Sequence, residues 1–208
     1  MDIYQLFPSP LFVKKFPSNN YQEVLSEIKN LHTDFIFSDK KNVETVYTEN
    51  SSESLMDNKF FSVLISEIEN IAKNIFREIY HYKDVSPYVC DMWSTCLKKG
   101  EKGQIHYHSN SYLSGCWYPF DTEYSNICFY SPNNEKNTLN LVANVEEFNQ
   151  LNCSSYLFQP KKDDLIFFPS YLSHQVSVNE SNIPRQSLAF NIFIRGSLHA
   201  HTSKLINL

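Results

Sequence analysis

Arg185-Gln186-Ser187-Leu188-Ala189-Phe190-Asn191-Ile192-Phe193-Ile194-Arg195 reads as a strand with two unlike faces. Successive side chains of a strand point to opposite sides, so Arg185, Ser187, Ala189 and Asn191 share one face. Leu188, Phe190, Ile192 and Ile194 share the other. The second face is apolar throughout and should pack under a helical layer. The first is small and polar, with a guanidinium at its start.

Working outward, Asp164-Leu165-Ile166-Phe167-Phe168 is a second apolar run, ended by Pro169-Ser170 and followed by His174. From Pro87 onward the chain keeps this texture. Tyr88–Leu97, Gln104–Tyr118, Asn126–Ser131, Leu139–Ala143, Ser155–Gln159 and Gln175–Val178 are short apolar or β-branched runs between polar turns. About eight strands at such spacing predict a jelly-roll or barrel.

The first part differs. Residues from Ile3 to Phe16, punctuated by Pro8, Pro10 and Pro17, suit an edge strand or extended arm. A short helix follows, with Asn19 or Asn20 as cap and Val24, Ile28 and Leu31 on one face. Residues 39–54 are polar, with room for a strand at Val43 to Tyr47. A longer helix is expected from Asp57 to Tyr80, where Phe61, Leu64, Ile68, Ala72, Ile75 and Ile79 recur every three or four positions. The expected architecture is α+β in one domain, 1–208. An N-terminal strand and helical layer (1–86) would cover a double-stranded β-helix (87–198).

Composition narrows the function classes. The 208 residues are 42% hydrophobic and 15% aromatic, a folded composition. A net charge of −5 disfavours a nucleic-acid partner. No stretch has the length of a membrane span, and Met1-Asp2-Ile3-Tyr4 lacks a signal-peptide pattern. Five cysteines without a CxxC read as reduced, mostly buried thiols of a cytoplasmic protein. The oligomeric state stays open.

Three signals carry chemistry. His106 and His108 are two apart, so in a strand both imidazoles reach the same side and one metal. Two solvated or core histidines near a turn fit the same spacing. His174 lies just past a strand end, where a barrel mouth would be; a hydrogen-bonded loop histidine would look alike. Arg185 opens the last strand, and a guanidinium there can clamp a carboxylate bidentately with help from a nearby hydroxyl. A structural salt bridge is the alternative. His199-Ala200-His201 is a further His-x-His, read as part of a solvated tail.

The order of these motifs resembles the 2-oxoglutarate/Fe(II) oxygenase superfamily, especially a small branch from marine bacteria and their phages. The likeness rests on Leu6-Phe7-Pro8-Ser9-Pro10, Trp93, His106-Tyr107-His108-Ser109-Asn110-Ser111, Leu113-Ser114-Gly115, Phe167 through His174, Arg185 and Phe190-Asn191. It implies that His106 and His174 ligate Fe(II) and that Arg185 grips the distal carboxylate of 2-oxoglutarate. Gly115-Cys116-Trp117-Tyr118 is similar to a prolyl hydroxylase strand whose second aromatic, here Tyr118, helps hold that carboxylate. Ser187 is the candidate nearby hydroxyl.

The superfamily's usual His-x-Asp is here His-x-His, so His108 stands where a carboxylate is expected. Either His108 is the third ligand, or a water or distant carboxylate replaces it. A shifted pair, His108 with Asn110, is poorer because an amide is a weak ligand. The activity implied is hydroxylation of a small molecule or peptide side chain with release of succinate and CO2. The competing reading is a cupin-like barrel that binds a metal or small ligand without turnover. A catalytically inactive relative serving as a binding module is a third.

Overall fold

The computed structural model describes residues 2, 7–37, 55–121, 126–132, 144–198 and 206–207. Two antiparallel sheets carry the fold. The larger contains β1 (Phe12–Lys15), β2 (Val85–Leu97), β3 (Leu113–Tyr118), β6 (Asp164–Pro169) and β8 (Arg185–Leu198), in the order β1-β6-β3-β8-β2. A short strand, β9 (Ile206–Asn207), pairs with β8. The smaller sheet holds β4 (Ile127–Tyr130), β5 (Ser155–Phe158) and β7 (His174–Val176), in the order β5-β4-β7. The result is a double-stranded β-helix with helices on one side.

The alternation of β8 is used as the sequence predicts. Leu188, Phe190, Ile192 and Ile194 join a core with residues of helices α1 (Gln22–Leu31) and α3 (Ser62–Asn74). Val24, Ile28, Leu64, Ile68 and Ala72 supply the helical side of that core. Ala189 belongs to a second core between the sheets, with Cys116, Tyr118, Ile166 and Phe168 facing Ile127 and Phe129. Phe129 meets Phe168 edge to face, centroids 5.0 Å apart.

Gly115 tolerates no side chain. A Cβ there would run into the Phe190 ring edge and lie 2.5 Å from the Ile166 carbonyl. His32 is buried between the helical layer and the sheet, following α1 and preceding α2 (Thr33–Phe37), with Nε2 2.8 Å from Ser94 Oγ.

Several expectations change. Gln104–Tyr118 is not one strand: β3 begins only at Leu113, and Asn110 turns the preceding chain at φ 57°. Neither Asn19 nor Asn20 caps α1, because both lie in a 3-10 turn and Tyr21 is the cap residue. The long helix ends in a π turn, Ile75–Ile79. The wider turn rotates the apolar stripe, so Phe76 is buried and Ile79 is left 56% exposed. None of the five cysteines is in a disulfide, but only Cys96 and Cys116 are buried, and Cys90 is exposed. The expected strands at Val43–Tyr47 and Leu139–Ala143, and His199-Ala200-His201, lie outside the described residues. No helix among the described residues is long and apolar enough to cross a membrane.

Candidate metal centre

Backbone pairing brings the three histidines together. β7 opens with His174, which pairs with Phe129 of β4. The loop after β2 returns beside it and makes an isolated bridge, His106 to His174. The His106 N–H donates to the His174 carbonyl at 3.0 Å, and the His174 N–H donates back at 2.8 Å. Two residues on, the His108 N–H donates to the Ser170 carbonyl at 3.0 Å. The shared orientation expected from one strand is thus achieved by a loop laid along residues 170–174. The Gln175 amide holds this loop by donating to the Gly103 carbonyl at 2.9 Å, and Tyr130 donates to Gln175 at 3.0 Å.

The rings converge. Centroid separations are 4.3 Å for His106–His174, 4.9 Å for His106–His108 and 5.1 Å for His108–His174. One ligand nitrogen from each histidine lies within 4.8 Å of the other two. Among the described residues this is the only group of three or more potential metal-binding side chains.

Protonation suits a cation. His106 Nδ1 is 2.9 Å from the Gln104 carbonyl, and His174 Nδ1 is 2.9 Å from the Leu172 carbonyl. A carbonyl only accepts, so each Nδ1 carries the hydrogen and each Nε2 is left with a lone pair. Backbone carbonyls orient metal-binding histidines in this way. Burial, then the neighbouring His106, lowers the pKa of His174 to about 3 and of His108 to about 4. Both imidazoles are therefore neutral at physiological pH. Neutral nitrogen donors with converging lone pairs fit a divalent transition metal.

The same shifts predict acid lability of the metal-free protein. Burial also lowers His32 to about 4. As pH falls below the ordinary value of 6.5, the unfolded chain takes up protons that the folded state refuses, so stability is lost down to pH 3–4. For the two most buried residues, His32 and His174, the slope approaches two protons, or about 2.7 kcal/mol per pH unit near pH 5. Thermal melts from pH 7 to pH 4 should show a falling Tm, and an unchanged Tm would contradict the burial of these imidazoles.

Arg185 lies further along the inner face, only 2% exposed. Its Nη1 donates to Ser187 Oγ at 3.1 Å, and Ser187 Oγ is 2.7 Å from Thr95 Oγ1 across the β2–β8 ladder. The guanidinium carbon is 5.1 Å from the centroid of the Tyr118 ring. Among the described residues, neither Arg185 Nε nor the Tyr118 hydroxyl, both buried, has a hydrogen-bond partner. The ion pairs among the described residues are Lys15–Asp164 and Arg77–Glu78, so no carboxylate there balances Arg185. A buried guanidinium without a counter-ion is costly, and a bound carboxylate supplies what is missing. Burial holds the Tyr118 phenol well above its usual range, so it remains a hydrogen-bond donor. Burial likewise pushes the Cys116 thiol up, against the pull of Arg185.

The structure thus groups His106, His108 and His174, and separately Arg185, Ser187 and Tyr118. The sequence reading missed Thr95, which the ladder sets opposite Ser187. It also missed a buried network in which Ser114 donates to Asn191 at 2.8 Å and lies 2.9 Å from Ser170 Oγ. Ser170 is the residue whose carbonyl anchors His108. Alternation along β3 and β8 offered a signal for this network, because both residues fall on the inner face.

Residues 91–191 match the family model described as "Putative 2OG-Fe(II) oxygenase". Among curated proteins, none matches the sequence significantly. Solved structures share the fold at low identity. A Trichoplax adhaerens prolyl hydroxylase in complex with a hypoxia inducible factor peptide is similar at TM-score 0.59 and 13% identity, over 88% of this chain and 83% of that one. A Pseudomonas putida prolyl-4-hydroxylase is similar at 0.56 and 9%, over 87% and 91%. The non-heme alpha ketoglutarate dependent epimerase SnoN from nogalamycin biosynthesis is similar at 0.57 and 10%, over 90% and 81%. The chain spans 55% of the length of a Burkholderia pseudomallei oxidoreductase of the 2OG-Fe(II) oxygenase family, at TM-score 0.48 and 9% identity. The matched segment contains all three converging histidines and the buried arginine, and through it the chain is similar to the 2-oxoglutarate/Fe(II) oxygenases.

Proposed function

We propose that the protein is a non-haem Fe(II), 2-oxoglutarate-dependent oxygenase of hydroxylase type, acting on a small molecule or a peptide side chain. The observation that carries this reading is the buried, unbalanced Arg185 on the barrel face that also receives the histidines. A metal site alone would fit a cupin-like binder. A metal site with a separate carboxylate clamp fits a keto diacid, whose keto-acid end chelates metal while its far carboxylate meets the arginine.

His106, His108 and His174 would hold Fe(II). Arg185, Tyr118 and Ser187 would hold 2-oxoglutarate, Ser187 chiefly by fixing the guanidinium. Fe(II) held there would supply oxygen activation coupled to decarboxylation of the co-substrate, with succinate and CO2 as by-products. The protein supplies orientation. Nδ1–H donation aims two imidazoles, the Ser187–Thr95 pair aims Arg185, and the surrounding core excludes water from the clamp.

The test is anaerobic addition of 2-oxoglutarate to Fe(II)-loaded protein, followed by admission of oxygen. A visible metal-to-ligand charge-transfer band and then stoichiometric succinate are expected. Tight Fe(II) binding with neither signal would favour the cupin-like alternative.

A further inference from the structure

The inner face of β2 extends past the metal centre and carries two side chains that the reading above does not use. Residues directly opposed in an antiparallel ladder share a face. Asn191 faces inward, since its side chain accepts from Ser114. Asp91 is opposite Asn191 and Trp93 is opposite Ala189, so both also face inward. The irregularity at Cys90 makes this possible, by shifting the register between Val89, which packs in the helical core, and Asp91. Trp93 is half-buried, its ring 5.5 Å from that of His108. Asp91 is exposed, about 7 Å further along the strand.

Resting on the oxygenase reading of this centre, we propose that the substrate carries a positive charge near the carbon to be oxidised, held between the Asp91 carboxylate and the face of Trp93. Asp91 has no ion-pair partner among the described residues. It is not the counter-ion of Arg185, because Asn191 and Arg185 are six residues apart on β8, roughly 20 Å along a strand. The residues turned inward near Asp91 and Trp93 on the neighbouring strands are the neutral Ala189, Asn191 and Ser114. Arg185 thus lies at the co-substrate end of this face and Asp91 beyond the histidines, while Arg195, further along the same face of β8, is turned onto the Tyr88 ring, its guanidinium carbon 4.1 Å from the ring centroid. An aromatic face beside a carboxylate is a recognised cradle for ammonium and guanidinium groups. Contact with His108 places that cradle next to the metal centre.

Trp93 is its own reporter. The chain has two tryptophans, and the other, Trp117, is fully buried with its indole N–H donated to the Phe16 carbonyl at 3.0 Å. The anaerobic full chain, loaded with Fe(II) and 2-oxoglutarate, is titrated with choline and with butylguanidinium. Each is compared with a neutral isostere, 3,3-dimethylbutan-1-ol and butylurea. At least one cation should perturb the Trp93 fluorescence with an affinity about tenfold or more above its isostere, corresponding to about 1.4 kcal/mol. Asp91→Asn should reduce the cation to the level of the isostere, and Trp93→Phe should remove the signal. The proposal is overturned if neither cation outcompetes its isostere, or if Asp91→Asn binds cations like wild type. It is also overturned if Asp91→Asn lowers Fe(II) affinity, which would make Asp91 a remote counter-charge for the metal. The charge-transfer band, recorded on the same samples, separates the two readings. Its absence from wild type removes the oxygenase assignment, whereas its presence without cation selectivity removes only the cation site.

Discussion

Arg185→Ala should weaken 2-oxoglutarate binding at least 30-fold while leaving Fe(II) affinity nearly unchanged. Truncating one partner of a desolvated, hydrogen-bonded ion pair costs about 2–5 kcal/mol, or roughly 30-fold to several-thousand-fold. The upper part of that range applies where the guanidinium is sealed from water, and Arg185 is 2% exposed. The metal should be spared because Arg185 makes its polar contact with Ser187, while the histidines are held by backbone carbonyls of 104 and 172. Arg185→Lys should recover only part of the loss, since an ammonium lacks the planar fork and cannot keep both Ser187 and a carboxylate in register. Titration of 2-oxoglutarate into anaerobic Fe(II)-loaded protein, followed through the charge-transfer band, measures each effect. A folded Arg185→Ala protein that binds the co-substrate as tightly as wild type would make Arg185 structural and return the site to a cupin-like reading.

What could be read from the sequence, and what could not, divides by the range of the interaction. The faces of β8 were legible because alternation is local: Leu188, Phe190, Ile192 and Ile194 pack against helices whose own apolar stripe was equally visible. The same alternation put Arg185 and Ser187 on one face, whereas Tyr118, whose ring centroid is 5.1 Å from the Arg185 guanidinium carbon, was suggested only by the resemblance to a prolyl hydroxylase strand. Thr95 was not legible, because its contact with Ser187 depends on the register between strands ninety-two residues apart. The extended run from Gln104 to Tyr118 was misread for a related reason. Its apolar residues suggested a continuous strand, whereas bridge and loop hydrogen bonds to His174 and Ser170 hold its first half. The π turn at Ile75–Ile79 was likewise invisible to a periodicity argument, since one wide turn changes the phase on which that argument depends.

Loss of His106 or His174 should abolish stoichiometric Fe(II) binding, and His108 then decides what kind of centre this is. Outer-shell groups that only orient a metal ligand are worth 10- to 100-fold in affinity, so removing the donor itself should cost at least about 100-fold. His106→Ala and His174→Ala each remove an Nε2 whose orientation the backbone has already fixed. His174→Ala should also melt at a less pH-dependent temperature than wild type between pH 6.5 and pH 4, since the alanine removes a buried group whose pKa is lowered to about 3. That second readout separates loss of a ligand from loss of the fold. Among the described residues no comparable hydrogen bond fixes the His108 ring, yet its nitrogen lies within 4.8 Å of the other two donors. If it coordinates, His108→Ala should likewise lower Fe(II) affinity about 100-fold or more. His108→Asp should retain binding, because it restores the common two-histidine, one-carboxylate set and cancels one unit of the metal's charge. Equal affinity in wild type, His108→Ala and His108→Asp would remove His108 from the coordination sphere. A centre that binds iron through three imidazoles keeps the full charge of the cation, so replacing one neutral donor by a carboxylate should also shift the charge-transfer band of the 2-oxoglutarate complex. An unshifted band in His108→Asp would place the aspartate, and by inference His108, outside the first coordination shell.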